Sequence, residues 1–422
     1  VRRRSRVVIA AVGALVLTAN ACHANRPSTQ SEGHGSLIAY GTSRSTPWFR
    51  PGEETFTLAW HATTIARWTR QIGARRFTSA SAPAFTPDGR YAFARFSDEQ
   101  AGRYPYDGGD IHAELVWVDT ATRQIREVAI AARSRSGKQE PGRPTTPFAL
   151  DGSVVVWQDP TATDPADGHI TLMQLDLSRP DPMPSVLRTL ELPTRPSDRE
   201  LSPVNEQYFT GNVIGAGHGR IVLYHAGHLF LADAKGAVRD LDQPPGHSVA
   251  NAIFSPDGTR FAVESGKASG SAQCTERQAT VFDAATGRPV ADLPQTFDLT
   301  ARPYFYGNTS DALWWTPQGS LRATGSADVC PASPSEPTED GGVWELSGAG
   351  WTQIDPPGTY RDYPLQDGDA AVVAQVDRPA DEQRPNEPST VTKLLIRERG
   401  RLVPVAQVDP ALVAVGPPSS AS

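Results

Sequence analysis

Apolar and polar residues alternate in short runs along most of this chain. Tyr91-Ala92-Phe93-Ala94-Arg95-Phe96 is one such run, and its period of two fits a half-buried strand. The runs come in fours. The clearest set is SAPAFTPDGRYAFARFSDE followed by AELVWVDTATRQIREVAI, and a second is SVANAIFSPDGTRFAVESG followed by QATVFDAATGRPVADL. In each, a Pro-Asp-Gly turn joins the first strand to the second: Pro87-Asp88-Gly89 and Pro256-Asp257-Gly258. Proline presets φ for a turn and glycine accepts positive φ. Asp119-Thr120-Ala121-Thr122 and Asp283-Ala284-Ala285-Thr286-Gly287 turn the third strand into the fourth.

Three steps of about 56 residues separate Asp88 from Asp257, so weaker copies of the unit are expected between and around them. Leu150-Asp151-Gly152 opens one, followed by SVVVWQD and HITLMQLDL. GRIVLYHAGHLFLADAKGAVRDL forms the body of the next, with its earlier strand near Asn212. ARPYFYG, DALWW, GGVWELS and GWTQID make a sixth unit, and YPLQDGDAAVVAQVD, TVTKLLIRE and RLVPVAQV a seventh. Upstream, SLIAYG, TFTLAWHA and TIARWT form a first unit that lacks one strand. Seven units at about 52 residues each fill the span from residue 36 to about 400.

No such unit buries its own faces alone. Seven four-stranded units side by side predict an all-β fold, a seven-bladed β-propeller with antiparallel blades. Ala411-Leu412-Val413-Ala414-Val415 follows the last unit and is expected to complete the first, closing the ring and removing open strand edges. A β-sandwich or two smaller all-β domains is the competing architecture, and six or eight blades are competing counts.

AFTPDGRYAFARF and AIFSPDGTRFAV resemble the WD40-like repeat of TolB-like propellers, a repeat also found in the propeller domains of prolyl-oligopeptidase-type hydrolases. The resemblance implies the propeller fold over nearly all of the chain after the leader, and no catalytic role for the turn. TolB-like proteins carry an α/β domain before the propeller. Only about twelve residues lie between Cys22 and the first strand, so that domain is not expected here.

The first residues follow a different pattern. VRRRSR precedes VVIAAVGALVLTA, a basic stretch and then an apolar run too short to span a bilayer. Residues 1–21 are therefore expected to be a signal peptide. Cys22 directly after Ala19-Asn20-Ala21 resembles the lipidated cysteine of a bacterial lipoprotein, while Ala19-x-Ala21 also suits ordinary secretory cleavage. Residues 22–35 read as a lipidated or secreted tether, 36–416 as the propeller and 417–422 as a frayed tail. The expected address is extracytoplasmic, on the outer face of a bacterial membrane through the lipid, or else freely secreted.

Composition narrows the chemistry. Gly (36) and Pro (37) together make about one residue in six, which suits many turns and opposes long helices. The net charge is -7, and loss of Arg2, Arg3, Arg4 and Arg6 with the leader makes the remainder more acidic, so no nucleic-acid partner is expected. There are three cysteines. Apart from Cys22, Cys274 and Cys330 stand in polar loops of consecutive units, and in an exported protein they are expected to form a disulfide, the alternative being that both are unpaired.

Catalytic motifs are sparse. There is no G-x-S-x-G elbow, H-E-x-x-H or phosphate-binding glycine loop, and no cofactor is expected. His218, His225, His228 and His247 fall close together, and His225 and His228 flank an Ala-Gly turn. They read as a metal cluster or as turn and surface histidines. Carboxylates gather at Asp107/Asp110, Asp159/Asp164/Asp167 and Asp362/Asp367/Asp369, which suits turns, a bound cation or a hydrolytic pair. Trp48, Phe49, Tyr104 and Tyr106 lie between second and third strands and are candidate anchors on a binding rim. The long connections at about 41–54, 97–111, 158–168, 265–277, 317–340 and 378–389 would share that end. The expectation is a non-catalytic binding module or scaffold for a protein, peptide or cell-envelope component. The alternative is a propeller enzyme, a lyase or glycosidase, using loop carboxylates or histidines.

Overall fold

The computed structural model describes residues 37–44, 52–60, 63–73, 76–80, 83–101, 108–133, 148–159, 168–193, 212–225, 227–241, 248–268, 275–290, 299–301, 313–316, 318–324, 343–348, 350–355, 359–364, 370–376, 392–398, 401–408 and 413–416. Among them no helix is long and apolar enough to cross a membrane. The described elements are strands, gathered in seven antiparallel sheets that resemble propeller blades.

The first sheet holds β1 (Leu37–Arg44), β2 (Gly52–Trp60) and β3 (Thr63–Ile72). The second holds β4 (Arg76–Ala80), β5 (Ala84–Phe85), β6 (Tyr91–Ala101), β7 (Gly108–Asp119) and β8 (Ile125–Arg133). The third is β9 (Ala149–Asp151), β10 (Val154–Gln158), β11 (His169–Asp176) and β12 (Ser185–Glu191). The fourth is β13 (Asn212–Gly217), β14 (Arg220–His225), β15 (His228–Ala232) and β16 (Val238–Leu241). The fifth is β17 (Ser248–Phe254), β18 (Arg260–Ala268), β19 (Thr275–Asp283) and β20 (Leu299–Ala301). The sixth is β21 (Leu313–Trp315), β22 (Leu321–Thr324), β23 (Val343–Ser347) and β24 (Gly350–Asp355). The seventh is β25 (Thr359–Pro364), β26 (Ala370–Val376), β27 (Thr392–Glu398) and β28 (Arg401–Val408). The last strand, β29 (Val413–Val415), pairs with β1, setting Ile38 opposite Val415 and Tyr40 opposite Val413.

The sheets are not uniform. Six have four strands; the second has five, because both β4 and β5 pair with β6. The fifth sheet corrects the sequence reading. Its fourth strand is β20, which ends on Ala301, the first residue of the ARPYFYG run read as part of the sixth unit. Pro289-Val290, taken above as part of that fourth strand, forms only an isolated bridge, Phe282 to Pro289. In the sixth unit β22 lies inside the stretch read as a loop from 317 to 340. Several strands also run further into the connections than expected. β6 and β7 pair from Tyr91–Asp119 out to Ala101–Gly108.

Buried side chains sit between sheets, one cluster to a junction. Phe56, Leu58 and Trp68 of the first sheet meet Ala92, Phe96 and Val116 of the second. Tyr91, Phe93 and Trp117 meet Val155, Trp157 and Leu175 of the third. Val156, Ile170 and Leu172 meet Ile221, Leu223 and Phe230 of the fourth. Val222 and Tyr224 meet Phe261, Val263 and Phe282 of the fifth, where the Phe261 and Phe282 rings stack at 5.0 Å. Ala262 and Val281 meet Leu313 and Leu321 of the sixth. A last cluster joins Trp314 and Val343 of the sixth, Leu394 and Ile396 of the seventh, and Ile38 and Tyr40 of the first. The close fit leaves little slack: a Cβ at Gly215 of β13 would run into the Ala252 carbonyl of β17.

Candidate functional site

Antiparallel order puts the first-to-second and third-to-fourth turns at one end of the sheets and the second-to-third connections at the other. The turn end is tightly knitted. In the second sheet Thr86 Oγ1 donates to Asp88 (2.6 Å), the Gly89 amide donates to the Thr86 carbonyl (2.7 Å), and the Tyr91 amide donates back to Thr86 Oγ1 (2.9 Å). Ser255, Asp257, Gly258 and Arg260 repeat this in the fifth sheet, with Ser255 Oγ donating to Asp257 at 2.6 Å. The Ser255 hydroxyl, then the Thr259 amide and hydroxyl, pull the Asp257 carboxyl down to about 2. Thr316 and Gly319 form the same loop in the sixth sheet, where Gln318 replaces the aspartate; the Gly319 amide donates to the Thr316 carbonyl at 2.9 Å. That copy lacks the aspartate that marks the turns at Asp88 and Asp257 in the sequence.

The third-to-fourth turns share a chemistry of their own. Asp119, Asp176 and Asp283 end a third strand, Asp233 directly follows one, and all four accept hydrogen bonds from the turn. Asp283 is held below the usual carboxylate range chiefly by the Thr286 amide and hydroxyl, and Asp233 by the Ala237 amide. Partial burial works the other way at Asp119 and Asp176, and hydrogen bonds from Arg90 and Ser178 override it. These carboxylates are consumed by turn geometry.

Neighbouring turns are also tied together. Arg126 of β8 donates to the Pro180 carbonyl (2.7 Å), Arg188 of β12 to the Asp233 and Ala234 carbonyls (3.0 and 2.9 Å), and Arg239 of β16 to the Ala285 carbonyl (3.1 Å). Each of these three arginines thus grips the third-to-fourth turn of the next sheet. Asp151 accepts the Gly219 amide at 2.8 Å, joining the third sheet to the fourth.

The opposite end differs. From mid-strand toward it, buried positions of five successive sheets carry polar side chains: Glu54 on β2, Arg95 on β6, Gln158 on β10, His225 on β14 and Glu264 on β18. Apolar residues would fill these sites at lower desolvation cost, so polar ones are a signal of function or of specific hydrogen bonding. Glu54 is gripped by Arg70 at 2.6 Å, which also reaches Glu114 of the second sheet at 3.2 Å. The Arg95 guanidinium lies over the Phe148 ring, 5.3 Å from its centre, and burial lowers its pKa to about 10. Of these five, sequence singled out His225 alone, as a turn or metal-cluster candidate and not as a buried residue. The other four read there as ordinary polar members of a strand, and only burial distinguishes them.

The aromatic candidates Trp48, Phe49, Tyr104 and Tyr106 lie outside the described residues, as does Cys22. The strand ends flanking the aromatics, Arg44 with Gly52 and Ala101 with Gly108, stand at the end opposite the Pro-Asp-Gly turns. The disulfide expectation is corrected: the structure contains no disulfide bond among its described residues, and Cys274 and Cys330 both lie outside them. His225 and His228 do flank the Ala-Gly hairpin between β14 and β15 as paired residues. Among the described residues no group of three or more His, Cys, Asp or Glu side chains is placed to hold a metal ion. Of the carboxylate sets, Asp107, Asp164, Asp167, Asp367 and Asp369 lie outside the described residues. Asp362 is buried on β25 beside Asp355, both held by Arg397.

No family model matches the chain, and no curated protein does. Solved structures do. The chain is similar to the β-propeller domain of the Trilobed protease from Pyrococcus furiosus, at 10% identity and a TM-score of 0.44, over 88% of this chain and 95% of that one. It is similar to a putative TolB from Agrobacterium tumefaciens at 11% identity and a TM-score of 0.33, over 90% and 96%. The tricorn protease aligns at 9% identity and a TM-score of 0.34, over 86% of this chain and 44% of that one. These likenesses show no family for the chain. The propeller character of this chain rests on its own seven sheets.

Proposed function

We propose that this chain is a non-catalytic extracytoplasmic binding module or scaffold, built as a closed seven-bladed ring and carried on a lipid at Cys22. The buried cluster shared by the sixth, seventh and first sheets, with the β29–β1 pairing, supports closure of the ring. One observation carries the functional reading: the two ends of the sheets are chemically unequal. At the turn end the aspartates are spent on holding turns. Toward the other end lie the long connections, with their aromatic residues, and the buried polar positions on five sheets. A rim of this kind suits recognition of a protein, peptide or cell-envelope component.

The glycosidase or lyase reading has one observation in its favour, the adjacent Asp355 and Asp362 carboxylates. Both are buried and bound to one guanidinium, which suits an ion network better than attack on a polymer.

The test uses the full chain extracted from membranes. Wild type should retain a partner that Trp48→Ala/Phe49→Ala and Tyr104→Ala/Tyr106→Ala variants lose, with melting temperatures unchanged. Cys22→Ala should move the chain out of the detergent phase. Turnover of an envelope polysaccharide without any retained partner would reverse the reading.

A further inference from the structure

The junction between the sixth and seventh sheets holds an ionic cluster unlike the others. Asp355 ends β24 and Asp362 lies on β25, on either side of the crossover between the two sheets. Arg397 of β27 donates to both, from one terminal nitrogen to Asp355 Oδ1 (2.8 Å) and from the other to Asp362 Oδ2 (2.6 Å). The two terminal nitrogens of a guanidinium are neighbours, so the two carboxylates are neighbours too. Their remaining oxygens, Asp355 Oδ2 and Asp362 Oδ1, are buried and accept no hydrogen bond among the described residues. Two orphaned acceptors side by side are costly, unless one carries a proton and donates to the other.

The charge count agrees. Arg322 of β22 bonds Glu345 of β23 at 2.8 Å, donates to the Asp362 carbonyl at 3.0 Å, and stands 3.9 Å from the Asp362 carboxylate. Among the described side chains, the charged groups facing Asp362 are Asp355, Arg322 and Arg397, with Glu345 behind Arg322. Two arginines face three carboxylates, and a single proton makes the cluster neutral.

We propose that Asp355 and Asp362 share one proton in the folded chain, making the junction of the sixth and seventh sheets a proton-dependent latch. Burial first, and then the hydrogen bond and charge of Asp355, push Asp362 up to about 7. Burial also opposes ionisation of Asp355, but hydrogen bonds from Asp362 and Arg397 outweigh it and hold Asp355 below the usual range. The sign follows from linkage. In the unfolded chain Asp362 loses its proton near pH 4, while the folded chain keeps it to about 7. Asp355, held low, contributes above its unfolded value and loses that contribution as pH falls, whereas Asp362 contributes fully below the lower value. Its contribution declines as pH rises and is lost above about 7, where two buried like charges face each other.

Two measurements on the full chain test this. Infrared spectra at mildly acidic pH should show a carboxylic-acid carbonyl band that shifts in deuterium oxide and vanishes in alkali. Unfolding in buffers of differing ionisation enthalpy, near pH 6, should release about one proton more from wild type than from Asp362→Asn. The melting temperature of Asp362→Asn should also fall less than that of wild type as pH rises. No acid band in wild type, or parallel pH profiles, would overturn the latch. Should Asp362→Asn not fold, Asp355→Asn supplies the same comparison, and the infrared arm needs no variant.

Discussion

A single residue type, glycine, divides the turn end into positions of very different tolerance. Gly152 and Gly258 occupy equivalent turns, with φ of 59° and 67°. A Cβ at Gly152 meets open space; at Gly258 it would run into the His218 ring from the neighbouring sheet. Left-handed backbone alone costs an alanine about 1 kcal/mol. Overpacking adds about 1–3 kcal/mol where the neighbour is held. Gly152→Ala should therefore lose about 1 kcal/mol in denaturant unfolding, and Gly258→Ala about twice to four times that. Equal losses would show that His218 swings aside. The Pro-Asp-Gly turns were legible in sequence because their chemistry is local: Ser255, Asp257, Gly258 and Arg260 bond one another. The His218 contact was not legible, since nothing in the glycine's own segment names its neighbour across the junction.

Among elements, the fourth strands act as couplers. Arg126, Arg188 and Arg239 come from three successive fourth strands, and each reaches carbonyls of the following sheet. A charged donor to a backbone carbonyl is worth about 1 kcal/mol where it is partly exposed. Arg179 is a useful contrast: exposed, it pairs with Asp176 three residues away at 3.5 Å, a kind of pair worth little. Arg188→Met should cost about 1 kcal/mol, and Arg179→Met less than about 0.5 kcal/mol, by urea unfolding. Combining Arg126→Met, Arg188→Met and Arg239→Met should sum nearly additively, because they lie in different junctions. A loss from Arg179→Met equal to that from Arg188→Met would remove the coupling role. Sequence periodicity found most strands, because alternation is a property of one strand. It misplaced β20 and missed β22: three or four residues are too short to show a period, and their partners set the assignment. The arginine couplers were invisible for the same reason, since a lone arginine on a polar strand looks solvated.

For the molecule as a whole, the repeated unit read from the turns foretold seven sheets, and the place of the last strand followed from the gap in the first unit. What sequence could not supply was the set of buried polar positions, Glu54, Arg95, Gln158, His225 and Glu264, which only packing reveals. The proposed ring depends on one short element. β29 covers β1 through three residue pairs, and the Gly416 amide adds a bond to the Leu37 carbonyl at 2.8 Å. Gly416 also abuts the Phe85 ring of β5, so this segment touches two sheets at once. Without it β1 would present an open edge, and Ile38, Ala39 and Tyr40 would lose cover. Backbone bonds at about 1 kcal/mol each, with the lost burial, put the expected penalty on the order of 3 kcal/mol or more. Deleting residues 409–422 should therefore lower the melting temperature sharply and promote self-association in size-exclusion chromatography. Deleting only 417–422 should do neither. If both deletions melted together with wild type, β29 would not be the closure, and the first sheet would hold the ring by its apolar junctions alone.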